Sequence, residues 1–132
     1  MNKKYSIALA LILSSQVLMA DAVTDMFKQY QANGVTQHNP QAGKALWNKQ
    51  FKNKKTGKPQ NCATCHGNNL TVAGKHVRTG KVIKPMAPSA NKKRFTDVKK
   101  IKKWFKRNCK WTTGRECISQ EQADILAYLT KL

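Results

Sequence analysis

The chain has 132 residues, with 25 Lys and Arg against 6 Asp and Glu and a formal net charge of +19 at pH 7. That length leaves room for a short leader and one domain, not several. A lysine excess of this size suits an acidic partner, an anionic membrane surface or a plain solvated coat, and the absence of any nucleic-acid motif argues against a nucleic-acid binder.

The first segment, residues 1–20, reads as a secretory signal: Asn2-Lys3-Lys4 is a positive start, and Ile7 to Leu13 is an apolar run that resumes at Val17 to Met19. Cleavage is expected after Ala20, or after Ala22 in Ala20-Asp21-Ala22. The run is too short for a transmembrane anchor, so a periplasmic protein is expected, with residues 21–132 as a single domain. A helix is predicted over Val23 to Gln31, carried by Val23, Met26, Phe27 and Tyr30 and ended by Asn33-Gly34. A second starts at Asn39-Pro40, with Asn39 as N-cap, and runs through Ala42, Ala45 and Leu46 to Phe51. Lys52 to Lys58 reads as a basic loop, and Gly67 to Pro88 holds too much Gly and Pro for a long helix. A third helix is predicted from the Thr96-Asp97 cap to about Asn108, its apolar ladder being Val98, Ile101 and Phe105 with Asn108 as the next rung. The last opens with the capping-box pattern Ser119-Gln120-Glu121-Gln122 and buries Ala123, Ile125 or Leu126, and Leu129. No strand pattern competes, so the fold class is all-α.

Between the second and third helices lies Cys62-Ala63-Thr64-Cys65-His66. The spacing puts two thiols on one side of a helical turn, at the reach of the two vinyl groups of a haem, with the imidazole of His66 under the iron. One covalent haem c on Cys62, Cys65 and His66 is therefore expected. A thioredoxin-like pair would need a βαβ context, and an exported zinc ribbon a second Cys-x-x-Cys; neither is present. Covalent haem also gives a small domain a large apolar plate to pack on. Gly43 and Trp47 resemble the Gly-x-x-x-aromatic crossing of class I cytochromes c, with Ile125 to Leu129, containing Tyr128, as the crossing helix.

The residues themselves leave the second axial ligand open. Met86, in Lys84-Pro85-Met86-Ala87-Pro88, is what an ordinary His/Met electron carrier would use. Asn108 is an amide on an otherwise apolar helix face beside Cys109, in a setting that more often marks a helix C-terminal residue satisfying the backbone. His38 and His76 are expected on the surface.

Arg78-Thr79-Gly80-Lys81, Pro85-Met86-Ala87-Pro88-Ser89, Arg94-Phe95-Thr96-Asp97, Lys103-Trp104, Arg107-Asn108-Cys109 and Gly114-Arg115-Glu116-Cys117 follow the haem motif in order. This series resembles the sphaeroides haem protein family. The resemblance implies a class I cytochrome c fold, a Cys109–Cys117 disulfide, His66 as proximal ligand and Asn108 as distal ligand. It further implies loss of the asparagine on reduction, binding of O2, NO or CO by the reduced protein, and electron exchange with a dihaem cytochrome c or another acidic redox protein. Two functional classes remain in view: an electron-transfer and gas-binding protein, favoured, and a haem enzyme that reduces O2 or a nitrogen oxide.

Overall fold

The computed structural model describes residues 6–132, with side chains from Met19 onward. The Asn2-Lys3-Lys4 start of the expected leader lies outside the described residues, as do the side chains of its apolar run. Five helices dominate: α1 (Ser6–Ala32), α2 (Pro40–Asn48), α3 (Ala63–His66), α4 (Val98–Thr113) and α5 (Ser119–Leu129). The helix expected at Val23 to Gln31 is the C-terminal part of α1. Among the described residues no helix is long and apolar enough to cross a membrane.

The closest helix pair is α2 against α5. A Cβ on Gly43 would lie 1.9 Å from the carbonyl oxygen of Asp124 and 2.8 Å from the amide nitrogen of Ile125, so only glycine permits this approach. Trp47, one turn on, packs with Leu70, Ile125 and Leu129, and its ring lies edge-on to Tyr128 at 6.4 Å. The buried carboxylate of Asp124 accepts from the Asn39 amide at 2.6 Å and from Gln120 Nε2 at 2.9 Å. Asn39 in turn caps α2, its Oδ1 accepting from the Gln41 and Ala42 amides. On the other side, Ala22, Met26 and Tyr30 of α1 meet Ile101 of α4 and Ala123 and Leu126 of α5 in a second apolar cluster.

Five expectations change at the helix ends and between helices. α2 stops at Asn48, and Phe51–Lys52 instead pairs with Pro59–Gln60 as an antiparallel hairpin (β1, β2). Its turn is drawn in by Asn53, whose Oδ1 accepts from the Lys55 and Thr56 amides, so the basic loop is a hairpin tip. A second hairpin joins Gly74–Lys75 to Val82–Ile83 (β3, β4). Two-residue strands carry no period-two pattern, which is why the chain reads as free of strands. α4 is capped by Asp97, not Thr96: its carboxylate accepts from the Lys100 amide at 3.1 Å. That helix also runs past Asn108, stopping only at Gly114, whose φ of +81° is the stronger stop signal. In α5 the cap moves from Ser119 to Ile118, because the Glu121 carboxylate accepts from the Ile118 amide at 3.0 Å and is held there by Arg115.

Gly43→Ala should therefore destabilise the protein by about 2 kcal/mol or more, since overpacking a rigid crossing forces backbone apart. The exposed α2 neighbour Ala45 is the control, and Ala45→Ser should stay within about 0.5 kcal/mol. Urea unfolding of the two variants measures the difference.

Candidate functional site

The motif turn is fixed locally before anything else contacts it. Asn61 and Thr64 cap one another: the Asn61 amide donates to Thr64 Oγ1 at 2.9 Å, and the Thr64 amide donates to Asn61 Oδ1 at 3.0 Å. The turn is then tied to the end of α2, with Asn61 Nδ2 donating to the Asn48 carbonyl and the Cys62 amide to the Trp47 carbonyl. Its far side is pressed by β3, where a Cβ on Gly74 would sit 2.3 Å from the Cys65 carbonyl oxygen and 2.8 Å from His66 Cα. Gly74 has no sequence signal for this role, because its contacts lie eight or nine residues earlier in a loop rich in glycine anyway.

Cys62 and Cys65 take part in no disulfide and are half-buried and buried respectively. Burial pushes the Cys62 thiol up to about 11, with the neighbouring Cys65 adding to the rise, so it is neutral at pH 7. The His66 imidazole is pushed down to about 4, mainly by burial and then by the positive charge of Arg94. It is therefore neutral at pH 7 and able to donate a lone pair to a metal. Its Nδ1 is the one buried side-chain polar atom among the described residues that lacks a hydrogen-bond partner. The Trp47 ring lies 5.3 Å from the imidazole. Two adjacent cysteines outside any disulfide, a neutral imidazole without a polar partner and an apolar wall fit a covalently held haem. No group of three His, Cys, Asp or Glu among the described residues could hold a bare metal ion instead.

Met86 is half-buried and packs against the cluster of Trp47, Leu70, Ile125 and Leu129. Trp47 being the residue against His66, this puts Met86 in the apolar cluster that also walls the imidazole. Its segment is held by backbone and side chain alike. The Ala87 amide donates to the Leu70 carbonyl at 2.9 Å, Arg94 Nε to the Pro85 carbonyl at 2.7 Å, Asn91 Nδ2 to the same carbonyl at 3.2 Å, and Arg94 Nη2 to the Lys84 carbonyl. Asn108 sits on α4 one turn after Phe105 and one turn before the buried Thr112, and yet is itself exposed. Directly after it, Cys109 is bonded to Cys117, with Cα atoms 5.6 Å apart. The loop this bridge closes is held by Arg115, which forks onto Glu121 at 2.6 and 2.7 Å, and by Lys110, 2.9 Å from Glu116.

The remaining histidines sit away from this centre. His38 is exposed and stacks on Phe27 at 4.2 Å. His76 departs from the expected surface position: it is half-buried, because its Nδ1 accepts from the Arg78 and Thr79 amides and closes the tip of the second hairpin. The lysines of 52–58 and Lys99, Lys100, Lys102 and Lys103 are exposed.

Residues 33–129 match the family described as "Domain of unknown function (DUF1924)". The cytochrome c-type protein SHP of Cereibacter sphaeroides is 39% identical over 124 residues, covering 92% of this chain and 93% of that protein. The solved structure of oxidised SHP, named an oxygen binding cytochrome c, superposes with a TM-score of 0.75 at 39% identity, over 83% of this chain and 96% of that one. The solution structure of cytochrome c'' from Methylophilus methylotrophus, presented with insights into haem-ligand detachment, gives a TM-score of 0.65 at 34% identity over 92% and 95% of the two chains. The chain belongs to the DUF1924 family and to that of the SHP cytochromes, as an all-α c-type cytochrome with one covalently attached haem c.

Proposed function

We propose that this chain is a periplasmic cytochrome whose haem is held by Cys62, Cys65 and His66, with Asn108 as the distal ligand of the oxidised form only. Bound haem supplies a one-electron iron couple and, with an axial position open in the ferrous state, affinity for diatomic gases. The Cys62 and Cys65 thiols anchor it, and His66 supplies the axial nitrogen. The amide oxygen of Asn108 is a hard, weak donor that would suit ferric iron better than the softer ferrous ion, which would leave the reduced protein able to take O2, NO or CO. Electrons come from a dihaem cytochrome c or another acidic redox protein that docks on the exposed lysines.

The observation that carries this reading is the setting of Asn108. An exposed amide one turn from Phe105 and one turn from the buried Thr112 continues the face of α4 that carries Val98, Ile101 and Phe105, with the Cys109–Cys117 bridge directly after it. Met86, the competing ligand, is engaged in the apolar cluster around Trp47, on the wall of His66. The relatives support the chemistry, SHP being described as oxygen binding and cytochrome c'' through detachment of a haem ligand.

Asn108→Ala should shift the ferric spectrum to a water-bound or five-coordinate form, whereas Met86→Leu should leave it intact, and ferrous wild type should bind CO without displacing a strong ligand. A sulfur-to-iron charge-transfer band in ferric wild type, lost in Met86→Leu, would replace this reading by a plain His/Met carrier. Steady turnover of O2 or a nitrogen oxide with a reductant would replace it by an enzyme.

Mass spectrometry of protein matured in cells competent for cytochrome c assembly should show one added haem that survives denaturation, and Cys62→Ala with Cys65→Ala should abolish it. Electron-transfer rates with an acidic dihaem cytochrome should fall steeply with salt, since exposed charges are screened within about 8 Å at physiological ionic strength. A flat dependence assigns the lysines to solvation.

A further inference from the structure

Three of the five large apolar side chains exposed among the described residues lie in or beside one hairpin, β3–β4: Val72, Val77 and Val82, the last 75% exposed. Val82 pairs with Lys75 across the ladder, and Ile83 with Gly74. Directly opposed residues share a face of a hairpin, and successive ones alternate between faces. The Gly74 face is turned inward, because a Cβ there would meet the Cys65 carbonyl oxygen and the His66 Cα. Lys75 and Val82 therefore point away from the haem motif, and their exposure is set by the pleat. Around the valines, the exposed side chains of Lys75, Arg78, Lys81 and Lys84 make a basic rim. An apolar centre within a rim of one charge is the anatomy of a docking surface rather than of a solvated coat.

The hairpin is also held in shape from tip to base. At the tip, His76 Nδ1 accepts from the Arg78 and Thr79 amides, and the His76 carbonyl accepts from the Gly80 amide at 2.8 Å. At the base, Arg94 donates to the Lys84 and Pro85 carbonyls, while Gly74 is pressed against the motif turn. A surface ordered beforehand loses little freedom on binding. Only the strand β3 separates this face from the His66 backbone, since Gly74 touches both. An electron donor gains from that closeness and a lipid surface does not.

We infer that the outer face of the β3–β4 hairpin is where the acidic redox partner docks, with Val77 and Val82 meeting an apolar spot on it and Lys75, Arg78, Lys81 and Lys84 meeting surrounding carboxylates. The inference rests on the haem and acidic-partner reading above and adds the place of contact. It does not depend on the identity of the distal ligand.

The test compares two charge reversals of equal size in the haem-loaded protein. Lys75→Glu with Lys84→Glu alters the hairpin rim, and Lys99→Glu with Lys102→Glu alters α4 by the same net charge. The probe is an acidic dihaem cytochrome c, whose dissociation constant is measured by calorimetry at low salt. The hairpin pair should weaken binding at least about tenfold more than the α4 pair, because lost contacts add to a loss of long-range attraction that both pairs share. Val82→Ser changes no charge, and it should weaken binding several-fold while the visible spectrum and the rate of reduction by dithionite stay those of wild type. Equal losses in the two charge pairs, a larger loss in the α4 pair, or unaltered binding by Val82→Ser would overturn the inference. So would a hairpin pair that keeps its affinity for the cytochrome and loses affinity for phosphatidylglycerol vesicles, which assigns the face to a membrane. Failure of the partner reading shows separately, as wild type that does not bind the acidic cytochrome at all, and takes this inference with it.

Discussion

The haem-motif half of this molecule is referred to one close contact, the passage of α2 over α5 at Gly43. With no side chain there, the α2 backbone meets the carbonyl of Asp124, and the two helices become a single rigid cross. The contact is apolar on one flank, through Trp47, Ile125 and Leu129, and polar on the other, through the Asp124 carboxylate and the Asn39 amide. The haem motif hangs from the end of that cross: Cys62 donates to the Trp47 carbonyl and Asn61 to the Asn48 carbonyl. A shift of α2 would therefore move Trp47 and the motif together, changing the wall against which His66 is set.

The second half of the site is built on a different support. α4, which bears Asn108, is joined to the rest by its apolar ladder and, at its C-terminal end, by Gln60. That buried amide donates to the Trp111 and Thr112 carbonyls and accepts from Asn53. The first hairpin thus satisfies carbonyls near the end of α4 that the helix leaves unpaired. α4 meets the His66 side through Phe105, which packs against the Trp47 cluster, and through Gln60, the residue before Asn61.

Much of this was legible in the sequence, for identifiable reasons. The helices announce themselves through ladders such as Val23, Met26, Phe27 and Tyr30, the motif through its spacing, and the crossing through a glycine one turn before a tryptophan. What could not be read depends on contacts distant in sequence or on elements too short to have a period. The hairpins are two-residue strands set by turn chemistry at Asn53 and His76. Gly74 matters because of where α3 comes to lie, and Arg94 because of carbonyls nine and ten residues away. The caps of α4 and α5 slipped by one residue, where the Asp97 and Glu121 carboxylates take backbone amides, Glu121 in the grip of Arg115 six residues away.

The distribution of the few acids completes the argument. In a chain of +19 the compact state is opposed by self-repulsion, and six acidic residues cannot neutralise it. Of those six, Glu116 lies in the C-terminal disulfide loop, facing Lys110 and Lys106, and Glu121 lies in the first turn of α5, taking the fork of Arg115. Arg115 holds the Glu121 carboxyl below its ordinary range, so its contribution is present at neutral pH and is lost as pH falls through the lowered value. Exposed pairs of this kind add little global stability, but beside a covalent bridge they restrict the few conformations the loop retains. Counter-charge thus gathers around the Cys109–Cys117 bridge, while Lys99, Lys102 and Lys103 of α4 and the lysines of the first hairpin take part in no ion pair among the described residues. The same chain ties down the segment that follows Asn108 and leaves a broad positive surface exposed.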